Sequence, residues 1–481
     1  MQRRIVGIDL GIATEHTCRV LSGDGSTLAK RKAVPTAESL AALEEVALRG
    51  VPVGTKLEVV MEPTGPAWLP IAVFFSSRGH LVFRVSSQKA ADLRRFFSRH
   101  AKSNGIDADA LGRLAIVAPE SLHPLVLPDA NRAALDRRVR ATDRLTREAS
   151  LHKVRIRDLV RQLMPMSPLR GDLGVADLAV LERLADPREL LKAGKARLAR
   201  VIAQASHHHL GEARAAEWLD AAKSALQLYG DHPAVAFSEL AAEVATEIRL
   251  LAAIEAELAA HGAAREEAYR AVDPAELARS LPGLKTVGGP ALVACMGDPS
   301  RFRNGAAFRS FTGLAPKASE TGNTDRKGQP ISKAGSSLLR TTLVRAADTA
   351  RKQDPQLAKV YFDQMVTRGK SHLGAICVVA AELAERAFVV RGRATPYVVR
   401  DVDGRPVTPA EAKAIVAARF TVPPEVRARR RSAKAGKAPQ QALVAHVLEA
   451  QGHRPEGMDR TRRPSPPTTP AERGTRVKRT A

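Results

Sequence analysis

Apolar positions crowd into short runs near the start of the chain. Arg4-Ile5-Val6-Gly7-Ile8-Asp9-Leu10-Gly11 is nearly continuous and β-branched, which suits a strand buried on both faces of a sheet. Leu57-Glu58-Val59-Val60-Met61-Glu62 repeats the pattern, and His80-Leu81-Val82-Phe83-Arg84-Val85 gives a further strand. Between them, Cys18 to Leu21 and Thr27 to Lys30 flank Ser22-Gly23-Asp24-Gly25, a hairpin signal. Helical spacing predicts helices over Ser39 to Leu48 and Ala67 to Arg78. Asp9 and Glu62 break the apolar pattern, each at the end of a strand. A buried carboxylate must be paired, hydrogen-bonded or bound to metal, because an isolated buried charge is strongly unfavourable.

Asp107 and Asp109 then open a helix that runs to about Val117. Hairpin, helix, strand and acidic helix in this order are those of an α/β ribonuclease-H-like fold, expected over residues 1–125. Such a fold gathers carboxylates around two Mg²⁺ ions roughly 4 Å apart, which activate the attacking oxygen and stabilise the leaving one. Val6 to Gly11 also matches the first phosphate loop of actin-like ATPases and sugar kinases. The later glycine-rich phosphate and adenosine loops of those folds are not found.

In residues 126–280 the period becomes helical. Leu135, Val139, Leu145, Leu151, Ile156, Leu159 and Leu163 mark one long helix from Asn131 to Met164, stopped by Pro165 and Pro168. Leu240, Val244, Ile248, Leu251, Ile254 and Leu258 mark another over Val235 to Ala260. Shorter helices are expected at Asp177 to Leu184 and Leu190 to Gln204, within a looser region. Two long helices separated by an insert predict an antiparallel coiled coil, which would dimerise the protein or space two domains. His207-His208-His209 reads as a solvated run, since consecutive helix positions diverge and cannot chelate together.

Residues 281–390 read as a mainly α domain that opens on Leu281-Pro282-Gly283-Leu284-Lys285-Thr286-Val287-Gly288-Gly289-Pro290. This turn into an apolar helix is helix-hairpin-helix-like and lets backbone N–H groups approach a phosphate, the alternative being a purely structural turn. Further on, Ile331-Ser332-Lys333-Ala334-Gly335 precedes a helix, with Arg326, Lys327 and Arg340 near in sequence. Ser332 is either an N-cap or a nucleophile whose cationic neighbours stabilise charge developing on phosphate. Residues 391–481 are expected to be a basic, disordered tail, with Arg427, Arg429, Arg430, Arg431, Lys434 and Lys437 in one run and a Pro-rich, Arg-rich end.

Charge narrows the partner. The 481 residues carry 75 Lys and Arg against 51 Asp and Glu, a formal charge of +24. A polyanion fits. Aromatic residues are only 4%, which argues for backbone contact over a run of stacking platforms. No apolar run approaches the roughly 20 residues needed to span a bilayer, and no secretory leader precedes the first strand, so a cytoplasmic protein is expected. Cys18, Cys295 and Cys377 form no zinc spacing.

Asp9, Glu62-Pro63-Thr64-Gly65, Lys102 to Ala108, Pro282-Gly283-Leu284 and Ile331 to Gly335, in this order, resemble the one-ten family of bacterial insertion-sequence transposases over residues 4–375. The resemblance implies a RuvC-like domain bearing a DEDD acid set, followed by a domain with a nucleophilic serine. Asp9 and Glu62 would be the first two acids, Asp107 the fourth and Ser332 the serine. Asn104 stands where the third acid is common in the family; it can ligate Mg²⁺ but brings no charge, and Asp109 is expected to compensate. Lys102, Gly283, Lys285, Gly288, Arg326, Lys327, Lys333 and Arg340 would contact nucleic acid. The implied activity is recombination of donor and target DNA guided by a bridge RNA, through 5′-phosphoserine intermediates, in a homodimer or homotetramer. The other readings are a Mg²⁺-dependent nuclease or junction resolvase and a non-catalytic nucleic-acid-binding protein.

Overall fold

The computed structural model describes residues 3–97, 103–230, 232–321, 324–325 and 328–431, in two compact units that divide between Asp129 and Ala130. The first unit is a five-stranded mixed sheet in the order β3-β2-β1-β4-β5. Its strands are β1 (Arg4–Asp9), β2 (His16–Ser22), β3 (Thr27–Ala33), β4 (Leu57–Met61) and β5 (Leu81–Arg84), and its helices are α1 (Ala37–Leu48), α2 (Trp68–Ser77), α3 (Ser87–Phe97) and α4 (Asn104–Val117). β1 pairs antiparallel with β2 and parallel with β4, which pairs parallel with β5. Hairpin first, parallel strands next and helices on both faces give the mixed sheet expected of a ribonuclease-H-like domain.

Alternation along β1 sorts its side chains between the two faces. Val6 and Ile8 pack with Leu40, Leu43, Ile71 and Phe75 of α1 and α2. Ile5 packs on the opposite face with Val60, Leu111 and Leu114, against α4. Gly7 shares that second face, and a Cβ there would stand 2.0 Å from the Ala108 carbonyl oxygen. The missing side chain lets α4 lie directly on β1.

The second unit is helical. Its first half holds α5 (Ala130–Leu163), α6 (Val175–Leu184), α7 (Pro187–Ala205), α8 (Glu212–Tyr229) and α9 (Phe237–Val272). α5 and α9 run antiparallel, with Arg138 near His261 and His152 bonded to Glu247. One end of the pair shares a core with α6, α7 and α8, centred on the fully buried Trp218, whose Nε1 donates to Asp177. α8 was not anticipated in the sequence, where the stretch read as loose. The three histidines are exposed in the turn after α7, with His207 and His208 at positive φ, rather than on a helix.

At the other end Leu135, Val139 and Tyr269 enter the core of the following elements: α10 (Leu277–Ser280), α11 (Gly288–Met296), α12 (Gly305–Thr312), the short strands β6 (Glu320–Thr321) and β7 (Thr324–Asp325), α13 (Ser337–Ala350), α14 (Pro355–Phe362), α15 (His372–Arg393), α16 (Pro409–Arg419) and α17 (Pro424–Arg431). Residues 391–431 therefore correct the expectation of a disordered tail from residue 391. Thr408 and Glu411 form a reciprocal capping box on α16, and Phe420, Val422 and Val426 are buried in the core. The rest of the expected tail, residues 432–481, lies outside the described residues. No described helix is long and apolar enough to cross a membrane.

Candidate active site

Parallel pairing of Ile8 with Met61 makes Asp9, the last residue of β1, and Glu62, the first residue past β4, the next in register. By alternation Asp9 follows Ile5 and Gly7, and Glu62 follows Val60, so both belong to the face covered by α4. Ser103 caps α4, accepting from the Ile106 N–H at 3.3 Å, and so fixes where its first turn begins. That turn carries Asn104 and Asp107. Asp9, Glu62, Asn104 and Asp107 then line one cavity of 440 Å³, together with Thr14, Ser87 and Arg94. Three segments distant in sequence supply these four groups.

Arg94 Nη1 lies 3.0 Å from Asp107 Oδ1, with both side chains about three-quarters buried. Thr64 donates to Glu62 Oε1 at 3.4 Å. Next to Asp9 in the sheet, the Cys18 thiol is pushed up to about 12, chiefly by burial and further by the Asp9 charge, with Arg19 opposing. It stays protonated and unreactive at neutral pH. His16, also buried, accepts the Gly11 N–H on Nδ1 at 3.2 Å, which fixes the loop leaving β1. Burial lowers its pKa, with the Gly11 bond opposing.

The donor set suits a hard divalent cation: three carboxylates and an amide carbonyl, all oxygen. Among the described residues no three His, Cys, Asp or Glu side chains stand close enough together to hold an ion already. The residues fit Mg²⁺ by chemistry, with Arg94 bonded to one oxygen of Asp107.

Asp109 is not brought into this cavity. Two residues beyond Asp107 on a helix is about 200° around its axis, and Asp109 instead lines a separate cavity of 570 Å³ with Arg19, Thr27 and Lys30. Its oxygens meet Thr27 Oγ1 at 3.4 Å and Arg113 at 4.0 Å. The expectation that Asp109 compensates for Asn104 is corrected accordingly. Arg94, by contrast, was missed: its signal was a basic face on α3, which does not reveal what the face meets.

In the second unit Ser332 lies on a loop clamped to the end of α12. Its N–H donates to the Ala315 carbonyl at 2.8 Å, Lys333 N–H to Gly313 at 3.1 Å, and Arg340 Nη1 to the carbonyls of Thr312 and Lys333 at 3.3 and 3.1 Å. Cβ atoms at Gly313 or Gly335 would each fall 2.0 Å from a facing carbonyl oxygen, of Ala334 and Phe311 respectively. Lys333 adopts φ +58°, a left-handed conformation unusual for a residue with a Cβ. The N-cap of α13 is Ser336, which accepts from the Leu339 N–H at 3.2 Å. Ser332 is thus not the helix cap; its Oγ accepts weakly from the Ala334 N–H at 3.3 Å.

The glycine turn precedes α11. Gly283 has φ +81°, and a Cβ there would meet the Ala346 carbonyl oxygen of α13 at 2.3 Å. Gly283 is required for that close approach, whatever else the turn does. Lys285 is exposed, with Nζ 3.4 Å from the Arg279 carbonyl, and Gly288 begins α11. Lys102, Arg326 and Lys327 lie outside the described residues.

Two family models match this chain. One, described as Transposase IS116/IS110/IS902 family, matches residues 275–362, and a DEDD transposase model of the IS110 group matches residues 6–165. The chain is 25% identical to the insertion element IS110 uncharacterized 43.6 kDa protein of Streptomyces coelicolor, over 82% of this chain and 95% of that protein. It is 25% identical to the insertion element IS900 uncharacterized 42 kDa protein of Mycobacterium paratuberculosis, over 78% and 92% of the two chains. A probable family 20 transposase of Pseudomonas aeruginosa is 34% identical over 111 residues, 23% of this chain and 30% of that one. One match contains the strand-end acids and the first turn of α4, the other the Ser332 loop, and the chain belongs to the IS110 family of transposases.

Proposed function

We propose that this transposase cuts and rejoins DNA with Ser332 as nucleophile and with a Mg²⁺ site formed by Asp9, Glu62, Asp107 and the Asn104 carbonyl oxygen. The observation that carries the metal half is the single cavity into which three separated segments deliver those four groups. When bound, Mg²⁺ supplies Lewis-acid stabilisation of charge on the attacking and leaving oxygens. Thr64 and Arg94 act as positioning residues: the first bonds Glu62, and the second holds Asp107 by one oxygen.

In the serine half, Ser332 Oγ attacks a DNA phosphorus. The Oγ–P bond forms, the bond to the 3′ oxygen breaks, and the serine proton is transferred to that oxygen. A 5′-phosphoserine and a free 3′ hydroxyl result. Rejoining reverses the step with a different 3′ hydroxyl, so strand exchange consumes no external nucleophile. Support comes from the Ser332 loop: its backbone is fixed by three bonds to α12 and its flank, and the capping duty that would bury the hydroxyl falls to Ser336. Lys333 and Arg340 bring positive charge to that loop.

The same reading assigns guidance to a structured RNA of the same element, paired to donor and target DNA, and the +24 charge supports it because RNA and DNA duplexes both need neutralising. It also assigns assembly as a homodimer or homotetramer through the α5–α9 pair. Leu151 and Val154 on α5 and Leu250 on α9 remain exposed in the stretch around the His152–Glu247 contact.

A denaturing gel of wild type and Ser332→Ala with Mg²⁺, labelled donor and target DNA, and RNA transcribed from the flanking element tests the proposal. A covalent protein–DNA band that vanishes in Ser332→Ala is expected. Cleavage that persists in the variant without such a band would make the protein a nuclease that uses the acids and water.

A further inference from the structure

A cavity of 420 Å³ in the second unit, between α5, α9, α11 and α13, is lined by Gly283 and Gly288 of the glycine turn and is separate from the acid cavity and the Ser332 loop. Arg265 and Arg345 both line it. Arg265 is half-buried, and its Nη1 donates to Thr142 Oγ1 at 3.4 Å, a hydroxyl and not a charge. Its Nε is buried and has no acceptor among the described residues. A guanidinium kept in such surroundings with a donor unsatisfied is unfavourable unless a further acceptor arrives. Asp143 also lines the cavity, but its carboxylate lies 2.8 Å from Arg147. Arg345 is exposed on α13 and makes no ion pair among the described residues.

The remaining wall is rich in hydroxyls. Thr142 and Thr146 donate theirs to carbonyls of their own helix, at 2.9 and 2.7 Å. On α13, Thr341, Thr342 and Thr349 line the same cavity, and their hydroxyls make no such bond among the described residues. Two guanidinium groups that form no ion pair among the described residues, Arg265 feeling of the carboxylates only the charge of the adjacent Glu266, stand beside these hydroxyls and match the oxygens of a phosphate.

We infer that this cavity holds a phosphodiester of the nucleic acid, gripped by Arg265 and Arg345 and contacted by the α13 threonines. The identity of the polyanion rests on the function proposed above; the capacity to bind phosphate does not. Affinity for labelled duplex DNA and for RNA from the flanking element is measured against salt with the full chain, for wild type, Arg265→Gln and Arg345→Gln. Thermal unfolding of the same proteins is followed with added inorganic phosphate.

Wild type is expected to gain stability with phosphate and each variant to lose that gain. The slope of log affinity against log salt should become shallower by about 0.9 on a duplex or about 0.7 on a single strand, and the nucleic acid on which it does so supplies the phosphate. Unchanged slopes on both nucleic acids overturn the inference, even where the phosphate response is lost. If Arg265→Gln fails to fold, the exposed Arg345 carries the test alone. A wild type that binds neither DNA nor RNA refutes the proposed function instead, and the phosphate arm still decides whether the cavity takes an anion.

Discussion

The acid cavity and the serine loop are built in opposite ways. Asp9 and Glu62 are placed by strand register and alternation, and Asp107 by one helix turn resting on a glycine. Only Glu62, one residue past β4, also leans on a turn, through its bond from Thr64. Ser332 has no periodic element beneath it. It is held by carbonyl contacts, two glycines with no room for a side chain and a lysine in left-handed conformation. A metal site tolerates small shifts because the cation can pull its ligands together, whereas a nucleophile must meet phosphorus along one line. The first region is therefore rigid by architecture and the second by local constraint.

Breaking the second region should have the largest effect. Ser332→Ala is expected to lower covalent adduct formation by roughly a thousandfold or more, as for loss of a nucleophile elsewhere, while leaving the unfolding midpoint unchanged; quantitative gel densitometry with parallel thermal melts checks both. In the first region, Asp9→Asn or Glu62→Gln should slow Mg²⁺-dependent cleavage by about a hundredfold or more, since even outer groups of metal sites are worth 10–100-fold. Raising Mg²⁺ should restore part of the rate.

Gly7→Ala tests the architecture without touching any acid. Its methyl would be forced against the Ala108 carbonyl, and overpacking of this kind costs about 1–3 kcal/mol. A lowered melting temperature, with activity falling because α4 is pushed off β1, is the expected result. Ser336→Ala separates the two serines: loss of the α13 cap should cost about 1 kcal/mol in a denaturant titration and leave the covalent adduct in place. Asp109→Asn should have the smallest effect, less than about twofold on cleavage, as for surface substitutions away from a site. A large loss there would return Asp109 to the acid set.

Much of the first region was legible in the sequence because its signals are periodic. Val6 and Ile8 against Asp9, and Val60 against Glu62, show both the strand and the break in its pattern. Asp109 misled because two acids close in sequence look like neighbours, while a helix turns them apart. Arg94 and the pair of Arg265 and Arg345 could not be read, since each meets its surroundings through packing between elements far apart in the chain. α8 escaped notice because its buried side is mostly alanine, Ala215, Ala221, Ala222 and Ala225, around the single large Trp218. The folded stretch before residue 432 carried a readable sign, Thr408-Pro409-Ala410-Glu411, hidden beneath a basic composition.

The central claim is that Ser332 forms the bond to DNA, and the most direct measurement is to trap the protein–DNA adduct, digest it and locate the modified residue by mass spectrometry. The account predicts a phosphate-bearing fragment on the peptide containing Ser332, with Ser336 unmodified. DNA cleaved by the wild type with no adduct, or an adduct carried by another residue, would contradict it.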